Sequence, residues 1–159
     1  MFKLSPRSVR NLVGVHEVLI STVHRAIEIS EVDFSIRDDG GLRTIEAQTE
    51  KVRAGNSKTL NSRHLTGHAV DLTAIVNGQP SWDWDHYYKI AKAMQTIARE
   101  KSYLIVWGGV WDRLLSDLGS DLKEEVVQYI ARMKKLKGPT YRVLTDGPHF
   151  ELRRKEYPA

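Results

Sequence analysis

Apolar residues near the start of the chain recur in steps of three and four: Val9, Leu12, Val13, Leu19, Ile20, Val23 and Ile27, with His16 in the same series. That spacing lays an apolar stripe along one side of a helix. A helix over about residues 6–30 is expected, begun by Ser5 as N-cap and Pro6 at the first helical position. Asp33 to Arg37 reads as a short strand, followed by a turn at Asp38-Asp39-Gly40-Gly41. Thr44 to Ala54 reads as a helix with Gly55 just past its end, and 55–61 as a polar loop. Ala69 to Val76 is a β-prone apolar run closed by the turn pair Asn77-Gly78. Ser81 or Asp83 is placed to cap a helix running to about Lys101. Tyr103 to Trp107 is a strand candidate ending at Gly108-Gly109. Leu118 to Lys137 reads as a helix, and about His149 to Arg153 as a last strand after Asp146-Gly147-Pro148. Helices and short strands mix without a regular βαβ alternation, which favours the α+β class.

The length, 159 residues, fits a single domain spanning 1–159, expected as a monomer. Such a chain can bury roughly two thirds of its unfolded surface. No apolar run reaches the length of a membrane span, and Met-Phe-Lys-Leu-Ser-Pro-Arg-Ser opens no signal-peptide core. The expectation is synthesis in the cytoplasm, so a substrate outside it requires a separate exit route. With no cysteine, a metal site must be built from His, Asp or Glu. The net charge of +4 suits acidic polymers, peptidoglycan with its carboxylates among them, and is equally an ordinary solubility charge. The basic end of the 118–137 helix (Arg132, Lys134, Lys135, Lys137) reads either as a docking patch or as a solvated face that complements the helix dipole. Nothing matches a nucleic-acid-binding motif, and the acidic residues from Asp112 to Asp121 match no EF-hand spacing.

Chemistry concentrates in Ser62-Arg63-His64-Leu65-Thr66-Gly67-His68-Ala69-Val70-Asp71. His64 and Asp71 stand seven apart with a glycine between them. If Gly67 turns the chain into a strand, imidazole and carboxylate can converge, and both are zinc ligands. A catalytic zinc needs a third protein ligand and an open position for water. His149 is the candidate third ligand. Asp146, three residues earlier across a Gly-Pro turn, is placed to exchange a proton with that water and then with a leaving amine. His16, His24 and His86 read as structural, and His68 as a surface or supporting residue.

Four ordered segments carry a resemblance. Ser62-x-His64-x-x-Gly67-x-Ala69-x-Asp71 resembles the S-x-H-x-x-G-x-A-x-D signature of the M15 zinc metallopeptidases, and Asp146-x-x-His149-Phe150-Glu151 resembles their second motif. Gly41-Leu42-Arg43-Thr44 with Gln48 is similar to the segment upstream of the signature, and Trp107-Gly108-Gly109-x-Trp111 to the family's W-G-G-D-W. The family includes D-Ala-D-Ala carboxypeptidases and dipeptidases, and L-alanyl-D-glutamate endopeptidases. The resemblance implies a hedgehog/DD-peptidase-like fold, a small antiparallel sheet flanked by helices. It implies one zinc ion on His64, Asp71 and His149, with Asp146 as general base and acid. Arg43 would grip a substrate carboxylate or polarise the scissile carbonyl, unless it only forms a surface ion pair. Ser62 would bond substrate or a supporting group, unless it only caps a loop. Glu151, on His149's face of the strand, would orient a ligand or compete for the acid–base role.

Val110 stands where the family often has Asp, so that residue's task would be absent or moved, with Asp112 the nearest substitute. The 112–145 segment reads as a specificity lid or a wall-docking element. Small size, basic charge and the missing leader resemble phage endolysins of this family, which cut between L-Ala and D-Glu of the peptidoglycan stem peptide after a holin opens the host membrane. The alternatives are a D-Ala-D-Ala carboxypeptidase or dipeptidase and a non-catalytic wall-binding module, which would have no use for Asp146.

Overall fold

A computed structural model describes all 159 residues. The chain opens with α1 (Pro6–Asn11) and α2 (Glu17–Ile29), not with one helix. Ser5 caps α1 and Pro6 starts it, as its sequence predicts. The apolar stripe, however, runs on through residues 12–15, where the backbone leaves the helix and Gly14 adopts a φ of +87°. His16 restarts the helix, its Nδ1 accepting the Val18 amide at 3.2 Å. The break also reassigns the stripe: Leu12 and Val15 are buried before α2 and Leu19, Val23 and Ile27 within it, whereas Val9 and Val13, which share its periodicity, are exposed.

Two three-stranded antiparallel sheets follow. One orders β1 (Asp33–Ser35), β3 (Thr73–Val76) and β4 (Gln79–Ser81); the other orders β2 (Ala69–Asp71), β6 (His149–Leu152) and β5 (Ile105–Trp107). The expected single strand at 69–76 is thus two strands in two sheets, with Leu72 as the crossing point. Asp71 donates its amide to Gly40 O at 2.7 Å and Leu72 to Pro148 O at 2.9 Å, bonds that pull consecutive residues toward different neighbours. The register of β2 on β6 sets Asp71 opposite His149.

Three further helices complete the fold: α3 (Ile45–Arg53), α4 (Trp84–Lys101) and α5 (Leu122–Lys137). Thr44 caps α3, and Asp83 rather than Ser81 caps α4, accepting the Asp85 amide at 2.9 Å. The last helix begins at Leu122, later than its pattern suggests, because Asp121 caps it and Leu115–Asp117 forms a separate 3₁₀ turn. Leu19, Val23, Ala26 and Ile27 of α2 pack into one core with Ile90, Ala91, Met94 and Ile97 of α4 and with Ile105, Phe150 and Leu152 of the second sheet. Each fully buried Leu, Ile or Phe contributes roughly 1.5–3 kcal/mol over exposure. Trp107 is wholly enclosed, and its indole N–H donates to Gly147 O at 2.8 Å, anchoring the loop that leads into His149. No helix is long and apolar enough to cross a membrane.

Candidate metal centre

His64 sits in a 3₁₀ turn, Arg63–Thr66, capped by Ser62, whose hydroxyl oxygen accepts the His64 amide at 3.2 Å. The turn ends at Gly67 in the left-handed region, φ +73°. A Cβ there would collide with the carbonyl of Gly14, so the break between α1 and α2 packs directly on the turn. The His16 amide donates to Gly67 O at 2.8 Å and ties the two together. Two residues on, β2 begins and carries Asp71 back toward His64.

The site closes across the sheet. Asp71 Oδ1 lies 3.2 Å from His64 Nε2 and 3.0 Å from His149 Nδ1. One ligand atom from each of His64, Asp71 and His149 falls within 4.8 Å of the others. Both rings are held from behind. His64 Nδ1 faces Gly41 O at 2.9 Å, and His149 Nε2 faces Glu151 Oε2 at 3.3 Å. If each rear nitrogen donates its proton outward, the inner nitrogens turn bare lone pairs toward a carboxylate. Three acceptors then converge on one point, which demands positive charge there. The burial of the two rings, 2% and 7% exposed, makes that demand stronger. One divalent cation meets it. Two ligand atoms about 2.1 Å from such an ion at a tetrahedral angle lie about 3.4 Å apart, close to the spacings from Asp71 to each histidine.

Without a cation, protons carry the charge. Burial alone would lower the His149 pKa, but its bonds to Asp71 and Glu151 prevail and raise it from 6.5 to about 10. Desolvation likewise opposes ionisation of Asp71, yet the two imidazoles hold its carboxyl well below the usual range.

Asp146 differs from both. Its side chain makes no hydrogen bond within the protein and lines the same cleft as the triad. Its backbone is pinned: the amide donates to Gly108 O at 2.8 Å, and its carbonyl accepts from the His149 amide at 3.2 Å. A Cβ on Gly108 would strike the Asp146 carbonyl, so the glycine of the Trp-Gly-Gly segment permits this approach. Partial desolvation, then the negative charge of Asp71, raise the Asp146 pKa above 3.8.

Arg43 is buried rather than paired at the surface. Its guanidinium donates to Asp39 O from Nε (3.1 Å) and Nη2 (2.7 Å), to Gln48 Oε1 at 2.7 Å, and to Asp71 Oδ2 at 3.4 Å. Most of its donors are therefore engaged by Asp39 and Gln48, which hold the guanidinium where one N–H reaches Asp71, and one Nη1 hydrogen remains. Gln48, wholly buried, passes its amide hydrogens to Ser57 Oγ and Thr59 O and so shapes the 55–61 loop at the cleft edge. Val110 is buried in the core, and Asp112 pairs with Arg132 at 2.9 Å outside the cleft, so neither supplies the missing Asp. Glu151 is the acid that backs His149. The Trp111 ring lies over His149, centroids 5.2 Å apart. His68 keeps to the surface side, bonded to Thr66 Oγ1 at 2.9 Å and packed on His16.

The cleft around these residues holds about 560 Å³, room for several residues of a peptide. Its lining also includes Lys58, Arg63 and Arg154, none of which the motifs singled out as ligand-binding. Arg63 at least lies inside the first motif, between Ser62 and His64.

The chain is also similar along its length to known proteins. Residues 1–131 match the family model described as phage L-alanyl-D-glutamate peptidase. The L-alanyl-D-glutamate peptidase of Escherichia phage T5 is 29% identical over 155 residues, covering 95% of this chain and 98% of that one. The enzyme of the same name from Listeria phage A118 is 34% identical over 70 residues, 44% of this chain and 24% of its own length. The crystal structure of the Serratia marcescens L-Ala D-Glu endopeptidase ChiX superposes with a TM-score of 0.72 at 39% identity, covering 99% of this chain and 95% of that one. With a full-length structural likeness and a family match across most of its residues, the chain belongs to the phage L-alanyl-D-glutamate peptidase family.

Proposed function

We propose that the protein is a zinc-dependent peptidoglycan hydrolase that cuts the bond between L-Ala and D-Glu of the stem peptide, the reaction in its relatives' names. The observation that carries this reading is the convergence of His64 Nε2, Asp71 Oδ1 and His149 Nδ1 beside the free carboxylate of Asp146. Two imidazoles and a carboxylate with an open side are a catalytic zinc set rather than a closed structural one. When bound there, the ion supplies a Lewis acid that polarises an amide carbonyl and eases ionisation of water.

The remaining roles fall to side chains. Asp146 takes the proton of the attacking water and delivers it to the leaving amine, for which a carboxyl pKa raised by desolvation and by the charge of Asp71 is suited. Glu151 fixes His149 in the tautomer that faces the site. Arg43 holds Asp71 and offers its remaining N–H to the substrate, as Ser62 offers its hydroxyl hydrogen. Made in the host cytoplasm, the protein reaches the wall once a holin opens the membrane, and lyses the host.

Mass spectrometry of purified peptidoglycan, digested by zinc-loaded protein beside a chelator-treated control, tests the reading. Stem peptides with a new D-Glu amine, appearing only with metal, are expected. Release of terminal D-Ala alone would instead make it a carboxypeptidase, and no metal-dependent product would leave a wall-binding module.

A further inference from the structure

Arg154, Lys58 and Arg63 line the cleft of the metal centre, yet none of them has a carboxylate partner. The other two cations of the lining are engaged: Lys51 with Asp39 at 2.5 Å and Arg43 with Asp71. Arg154 follows β6 by two residues and donates Nη2 to Asn61 O at 3.1 Å, which turns its guanidinium toward the 55–61 loop that carries Lys58. Arg63 lies deeper, 3% exposed. Its Nη2 is bonded to Leu152 O and Tyr157 O, while Nε and Nη1 have no partner. A buried guanidinium with two unsatisfied nitrogens is costly. Set behind two surface cations without ion-pair partners, it gives this part of the cleft an excess of positive charge that the nearby Glu151, bonded to His149, offsets only in part. Elsewhere the cleft adjoins a wholly apolar depression at Trp111, Tyr141 and Leu144, which offers an acid nothing.

We infer that Arg154 and Lys58, backed by Arg63, form a carboxylate subsite that grips an acid group of the stem peptide on the D-Glu side of the cut bond. The inference rests on the proposed peptidase reading and adds to it the residues that select an acidic substrate. D-Glu enters the chain through one of its carboxyls and keeps the other ionised, and the diamino acid that follows brings a further carboxylate. Arginine's planar fork suits such a group.

Three synthetic peptides of the form L-Ala-D-Glu-diamino acid test it. One has every acid free, one carries an amide in place of the free carboxyl of D-Glu, and one carries the amide on the diamino acid. On the all-acid peptide Arg154→Gln should lower kcat/KM roughly 10- to 100-fold, as loss of a charged hydrogen bond does, chiefly through KM. Arg154→Lys, which keeps the charge but not the fork, should fall between wild type and Arg154→Gln, which shows that the fold survives, and Lys58→Gln should lose roughly two- to fivefold, as a solvent-exposed charge does. On the peptide whose amide replaces the gripped carboxylate, wild type and Arg154→Gln should be equally slow, and this identifies which acid is held. Equal losses on all three peptides, or none on any, would overturn the subsite. Should wild type cut no peptide, the peptidase reading fails. Dissociation constants of the three peptides for Asp146→Asn, with and without Arg154→Gln, still decide the subsite by calorimetry.

Discussion

The 62–71 segment and the 145–149 segment each bring an aspartate to the centre, and the two aspartates are treated oppositely. Asp71 is bonded by two imidazoles and by Arg43, and its carboxyl is held well below the ordinary 3.8. Asp146 has no side-chain partner, and desolvation with the charge of Asp71 raises it above 3.8. A ligand must be anionic at all working pH values, whereas a proton carrier must be able to hold a proton. Environments that drive two carboxyls apart support the proposed division of those roles. The means of holding differ too: the first segment is locked by a capped turn and a buried arginine, the second by its backbone bonds and the Trp107 indole on Gly147 O.

The largest effects should come from breaking the two segments separately. His64→Ala should remove both metal and activity, while Asp146→Ala should lower kcat about 10²- to 10⁴-fold with metal content unchanged. Metal analysis of the purified variants beside their rates checks this, and loss of zinc from Asp146→Ala would place Asp146 among the ligands. A smaller effect is expected one step behind the ligands. Glu151→Ala should weaken metal affinity about 10- to 100-fold, read by competition with a chelator, and Glu151→Gln should recover part of it because its amide oxygen still accepts from His149 Nε2. If Glu151→Ala keeps full affinity but loses turnover, Glu151 rather than Asp146 is the acid–base group.

The smallest effect concerns stability. Because the folded pKa of Asp146 lies above its unfolded value, the folded state binds that proton more tightly. The stabilisation is complete below about pH 3.8 and is lost as pH rises through the folded value. At neutral pH the ionised carboxylate therefore opposes folding. Asp146→Asn should raise the melting temperature of the metal-free protein by about 1–3 °C near pH 7, and the gain should vanish in acid. Thermal melts at both pH values measure it. Asp71 has the opposite sign: its contribution is present above 3.8 and lost as pH falls through its lowered value.

Much of this was legible before any fold was known, for reasons that differ by residue. His64 and Asp71 are separated by a single turn, and Gly67 announces the left-handed residue that folds them together. Asp146 and His149 likewise share one tight turn. Capping at Ser5, Thr44 and Asp83 is local chemistry and appears where the side chains allow it. Elements failed to be legible where burial continues across a change of backbone. The stripe of the first helix does not falter at Gly14, and the run 69–76 stays largely buried although Leu72 passes it from one sheet to the other. The sequence leaves Arg43 either a substrate contact or a surface ion pair; its burial, and its bonds to Asp39 O and Gln48 Oε1, depend on neighbours that only the fold brings together.

By itself, then, the sequence determined the α+β class, most element positions and the ligand types, because propensity, caps and short-range spacing act within a few residues. Tertiary structure decided which atoms meet. Only the antiparallel register of β2 on β6 sets His149 against Asp71, 78 residues away. Only packing buries Arg63 and leaves Arg154 and Lys58 unpaired beside it, because charge compensation depends on distances in space that no local pattern encodes.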